Sequence, residues 1–257
     1  VEANARLKLE RLPQPVLASL RWPGRPVLPA GNAAWTYMVS HPFGSFALFV
    51  GEAPTEEEGG APGRMLPFEV WVNGAEQPRG LGALAKTLSM DLRARDAEWL
   101  KLKLDALATV QEEHAFDMPF PPHGEPRRFP GVVAATAAVI RWRCEQLGLW
   151  AERRPTPVLD AMFSRDEPHT GPDGTLAWAV DLSNPATDEA FTVTLKEVSL
   201  PPAASGGIAL TLPCAIGFSG NYPRALDGLA RVLSLDMRVL DPAWVGMKLR
   251  KLLSYAE

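Results

Sequence analysis

The strongest constraint on how this chain can fold is that one stretch of it occurs twice. Residues 78–107 read PRGLGALAKTLSMDLRARDAEWLKLKLDAL and residues 223–252 read PRALDGLARVLSLDMRVLDPAWVGMKLRKL, aligned without a gap at an offset of 145. Fourteen of the thirty positions are identical, where composition alone would give roughly two or three. Among the identities are Asp91/Asp236, Arg93/Arg238, Asp96/Asp241, Trp99/Trp244 and Lys103/Lys248. Upstream the likeness persists as a pattern: Ala34–Tyr37 corresponds to Ala177–Val180, and Phe46–Glu52 to Phe191–Glu197. The expected architecture is therefore α+β, a duplicated unit of short antiparallel strands followed by two helices, the copies related by a pseudo-twofold axis.

Each half supports that expectation locally. Trp35–Val39, Phe46–Val50 and Leu66–Val72 are rich in β-branched and aromatic residues, and Phe68, Val70 and Val72 alternate with Glu69, Trp71 and Asn73 as a half-buried strand requires. Leu81, Leu84, Ala85, Leu88 and Leu92 form the one-sided stripe of a helix laid on a sheet, as do Leu226, Leu229, Ala230, Leu233 and Met237. Pro78 and Pro223 suit a first helical turn, while Asp96 and Asp241 are natural N-caps, the latter followed by Pro242. The expected division is an extended N-terminal arm over 1–29, a first repeat over 30–112, a linker with a bridging helix at Ala134–Leu149 over 113–174, and a second repeat over 175–257. The proline-rich stretch from Pro119 to Pro130 reads as a connection without regular structure.

Charge and composition exclude several functions. The 257 residues carry 26 basic and 30 acidic side chains, a net charge of -4, which leaves no basic excess for a nucleic acid backbone. No apolar run reaches the roughly 20 residues of a membrane span, so the expected location is the cytoplasm. Cys144 and Cys214 are isolated, and His41, His114, His123 and His169 fit no metal-ligand spacing. There is no phosphate-binding glycine loop and no nucleophile elbow. Asp91 and Arg93 point about 200° apart on a helix, so Arg93 is expected to reach Asp96 at the helix corner, and Lys101–Lys103 to lie on a solvated helix face. No catalytic residue and no metal ligand is expected in this chain. The candidate partner contacts are Arg6, Lys8, Arg11 and Arg21 on the basic arm, with Trp99 and Trp244 on the second helices, although the first expectation for these two rings is core packing against the preceding helix and sheet.

One known family shares these motifs. Val16–Pro23, Trp35–Val39, Pro67-Phe68-Glu69-Val70-Trp71-Val72-Asn73-Gly74 and Leu81–Arg93 together resemble the TSCPD domain of adenosylcobalamin-dependent (class II) ribonucleotide reductases. The resemblance covers 16–107 well and 175–254 more loosely. It implies a small, separately encoded, non-catalytic accessory subunit of such a reductase, with the adenosylcobalamin held by the large partner chain and none in this one. The chain departs from the reductases in lacking their converging cysteines. The alternative is an independent small-ligand or nucleotide-binding module using the cleft between the two halves.

Overall fold

The computed structural model describes residues 16–56, 62–151, 155–202, 207 and 210–256. Strands β1 (Ala33–His41), β2 (Gly44–Glu56) and β3 (Pro62–Asn73) form an antiparallel meander, followed by helices α1 (Leu81–Leu92) and α2 (Ala97–Ala108). A hairpin, β4 (Phe116–Phe120) and β5 (Glu125–Phe129), leads into α3 (Val132–Gln146) and the one-turn α4 (Pro157–Asp160). A second meander, β6 (Ala177–Asn184), β7 (Glu189–Leu200) and β8 (Leu210–Gly220), is followed by α5 (Leu226–Met237) and α6 (Pro242–Leu253). The class is α+β, with three small antiparallel sheets and six helices among the described residues.

The same order of elements recurs, and so do its irregularities. The β2–β3 ladder slips at Gly51/Glu52 and the β7–β8 ladder at Lys196/Glu197, positions separated by the repeat's own offset. The Ser89 hydroxyl accepts the Val70 N–H at 3.0 Å and lies 2.9 Å from the Val70 carbonyl. Ser234 accepts the Ile216 N–H at 3.0 Å and lies 3.4 Å from the Ile216 carbonyl. A helix serine thus fastens each third strand through the backbone N–H and carbonyl of one residue, and it matches Val70 with Ile216.

Two expectations need correction. The prolines between Pro119 and Pro130 do not prevent regular structure: Pro119 and Pro126 face each other in the β4–β5 ladder. A two-stranded ribbon consists of edges, where a missing N–H costs little. Pro78 and Pro223 precede their helices, which begin at Leu81 and Leu226. Gly80 provides the turn before α1 at φ 87, and its Cβ position lies 2.8 Å from Leu226 Cδ2, so a side chain there would meet both strain and α5.

The chain before β1 is anchored where it is described. Val16–Ser19 forms a short 3-10 turn with Val16 and Leu20 buried, because Val16, Leu17 and Leu20 fall on one side of the turn. The Arg21 N–H donates to the Arg93 carbonyl at 2.7 Å, while the Phe163 N–H donates to the Arg238 carbonyl at 3.0 Å. Each lead-in segment reaches across to the other half. Val16 N–H donates to Asp241 Oδ2 at 2.8 Å, and the Val158 and Leu159 N–H groups donate to Asp96 Oδ2 at 3.0 Å. Arg6, Lys8 and Arg11 lie outside the described residues.

Candidate functional site

The charged residues common to both stretches converge on one point. Asp91 ends α1 and Asp236 ends α5, two helices that pack against each other, and Lys103 and Lys248 come from α2 and α6. Lys103 Nζ donates to Asp236 Oδ1 and Oδ2 at 2.7 Å and to Asp91 Oδ2 at 2.9 Å. Lys248 Nζ reaches Asp91 Oδ1 at 2.5 Å and Asp236 Oδ1 at 3.4 Å, and also donates to the Thr87 carbonyl at 3.3 Å. Each lysine therefore bridges both aspartates. The indole N–H of Trp99 donates to Asp91 at 2.8 Å and that of Trp244 to Asp236 at 2.7 Å, with the two rings edge to face. All four ionic side chains are fully buried.

Two opposite pairs sum to zero charge, and each carboxylate collects a lysine from either half plus an indole N–H, which is the condition under which buried ions persist. Burial alone would raise the Asp91 carboxyl, but the charges of Lys103 and Lys248 outweigh it and hold Asp91 below its ordinary range. Burial would likewise lower Lys103, yet Asp236 and Asp91 keep it raised. Burial and the neighbouring Lys103 charge pull Lys248 down to about 8, against the attraction of the two aspartates.

The depressed Asp91 has a consequence for acid stability. Its contribution is fully present above the unfolded value of 3.8 and is lost as pH falls through the lower folded value. Urea unfolding followed between pH 2 and 5 should show a steeper acid loss in the native chain than in Asp91→Asn. Equal slopes would mean that Asp91 is not held ionised by the lysines.

Lys103 was expected on a solvated face and is instead the cluster's central donor, because that side of α2 is turned onto α5. Trp99 and Trp244 are fully buried, as the core-packing expectation has it, so neither is offered to a partner by the folded chain, and their indole N–H groups bond the aspartates. Arg93 does not reach Asp96: its Nε lies 3.3 Å from the Phe68 carbonyl on β3, where it ties the helix end to the sheet. Asp96 caps α2 by accepting the Trp99 N–H at 2.9 Å. Arg21 is half-buried, with its guanidinium 5.6 Å from the Trp22 ring.

Little else offers chemistry. Cys144 is buried and its thiol pushed up to about 12 by desolvation, while burial also raises Cys214; such thiols carry almost no thiolate at neutral pH. His41 Nε2 is bonded to the Glu76 carbonyl at 2.8 Å, and among the described residues no group of three His, Cys, Asp or Glu is placed to hold a metal ion. No helix among them is long and apolar enough to cross a membrane. A groove of about 900 Å³ runs between α2, α5 and β8 and is lined by Asp105, Asp166, Arg231 and Arg238 among others. A similar groove of about 500 Å³ lies between α6, α1 and β3, with Arg25 bound to Glu69 in it at 2.6 Å.

The chain matches no protein-family model, no curated protein and no solved structure.

Proposed function

We propose that the chain is a duplicated, pseudo-twofold module that serves as a non-catalytic accessory subunit of an adenosylcobalamin-dependent ribonucleotide reductase. The observation that carries the non-catalytic part is the destination of the shared charges. In a duplicated enzyme the residues common to both copies would be expected to face a substrate. Here the Asp91, Asp236, Lys103 and Lys248 side chains are sealed against one another with no solvent exposure, the pattern of a structural lock. The link to the reductase rests on the PFEVWVNG strand, the LGALAKTLSMDLR helix and the Val16–Pro23 lead-in, and the adenosylcobalamin belongs to the partner. The reciprocal lead-in contacts at Asp96 and Asp241 support a twofold relation between the halves.

Two assays test this. The purified chain with adenosylcobalamin, a dithiol and ribonucleotides should form no deoxyribonucleotide, and it should bind the large chain of an adenosylcobalamin-dependent reductase in sedimentation experiments. Turnover by the chain alone, or no association with the large chain, would overturn the assignment. A second function, binding of a small anionic ligand, is favoured by one observation: Arg238 on the 900 Å³ groove is buried and its Nε has no hydrogen-bond partner among the described residues. Calorimetric titration with nucleoside triphosphates decides it; saturable binding lost in Arg238→Met would replace the accessory role.

A further inference from the structure

The two sheets have the same apolar face but not the same cover. In the first sheet, the register places Trp35, Tyr37, Val39, Phe46, Leu48, Val50, Val70 and Val72 on one side. On that side Val39, Phe46, Leu48 and Val50 are fully or almost fully buried, beneath α1 and beneath α3 and the β4–β5 hairpin. In the second sheet, the register aligns Trp178, Leu195 and Ile216, then Val180, Val193 and Phe218, then Leu182 and Phe191. The opposite side carries Asp181, Thr192, Thr194, Lys196 and Ser219, so the pleat was patterned to bury the first side. Yet Trp178 is 57% exposed and Leu182 45%, where Val39, the residue matching Leu182, is 0%.

The cause is a missing layer. α5 covers β8 as α1 covers β3, but α3 and the hairpin pack mainly on α2, β1 and β2, with α3 also touching α5 at Gly228, and not on β6 or β7 to any comparable extent. The α2 side that receives α3 includes Leu104, 1% exposed, whereas Leu249, its match on α6, is 43% exposed. Sheet face and helix face are left open together.

The first half also shows the chemistry of the cover. Arg143 of α3 pairs with Glu52 at 2.7 Å and lies over the Trp35 ring at 5.4 Å, and Trp142 packs on the same ring. Glu52 and Trp35 recur as Glu197 and Trp178. The Glu197 side chain makes no hydrogen bond or ion pair among the described residues, so an acidic group and an indole stand ready for a guanidinium.

We infer that the open face of the second sheet, from Trp178 and Leu182 to Leu249, is the docking site for an apolar helix of a partner protein, carrying an arginine that pairs with Glu197 and covers Trp178. A second copy of this chain cannot supply its own α3, which is already buried in its first half. Helix-in-groove recognition uses this combination of an apolar stripe and one polar anchor. The inference rests on the accessory-subunit proposal only in identifying that partner as the reductase large chain.

The test supplies the helix covalently. A second copy of residues 109–151, joined after Glu257 by a glycine-serine linker, should dock on β6 and β7, slow their amide exchange by at least about tenfold and lower the binding of a hydrophobic dye. Glu197→Lys, or glutamate at the appended copy of Arg143, should abolish this protection. An appended segment that leaves β6 and β7 unprotected overturns the inference. So does a chain dimer that Leu182→Lys dissolves, which makes a second copy the occupant. A large reductase chain that binds the fused and unfused proteins equally also overturns it, while leaving the accessory role intact. Docking of the appended helix with no reductase binding preserves the site and removes the accessory role.

Discussion

Replacing Lys103 with methionine should lower the unfolding free energy by about 3–5 kcal/mol, the cost of leaving buried charge uncompensated. Lys103 Nζ is the closest cation to both oxygens of Asp236 and also serves Asp91, so its loss leaves two buried carboxylates sharing Lys248. That lysine is the one already drawn below its ordinary range. Equilibrium urea unfolding measures the effect. Removing all four ionic groups together, with apolar residues of similar volume, should cost far less and can even stabilise the chain. A loss under 1 kcal/mol for Lys103→Met would mean that water reaches the cluster and that the lock does not exist.

Trp244→Ala should cost about 3–5 kcal/mol, since the side chain is fully buried and its removal opens a large cavity. It also takes the indole N–H from Asp236. A docking residue on the surface would behave oppositely, with a melting temperature close to native and a weaker partner complex. Trp244→Phe separates the contributions, keeping most of the volume and losing only the hydrogen bond.

Much of this fold could be read from residue order alone because the repeat forces two stretches to satisfy the same periodicity. The helical stripes through Leu84 and Leu229 and the caps at Asp96 and Asp241 are local features, set by side chains within a turn of one another, and they lie where the pattern puts them. Lys103 was harder to place. A lysine on a helix is ordinarily solvated, and burial becomes favourable through Asp91 together with Asp236, which is 133 residues away. Its signal was present: Lys103/Lys248 and Asp91/Asp236 are opposite charges kept at both copies, in numbers that cancel. The lead-ins were hidden differently. Val16-Leu17 and Val158-Leu159 are too short to register as a repeat, yet each finds the other half's N-cap aspartate. The prolines of β4 and β5 misled because proline opposes central strands, whereas this ribbon has only edges. The uncovered face of the second sheet had no sequence signature at all, since Trp178, Val180 and Leu182 read like any core strand until the absent cover is seen.

The measurement that bears most directly on the lock between the halves is a double-mutant cycle on Lys103 and Asp236, with Lys103→Met, Asp236→Leu and the pair followed by equilibrium unfolding. The two residues belong to different halves and touch at 2.7 Å, so the double variant should recover about 2–3 kcal/mol of the summed single losses, the upper range for residues in one buried network. Strictly additive losses would mean that the aspartate and lysine do not act on each other, and that the shared charges do not join the two halves.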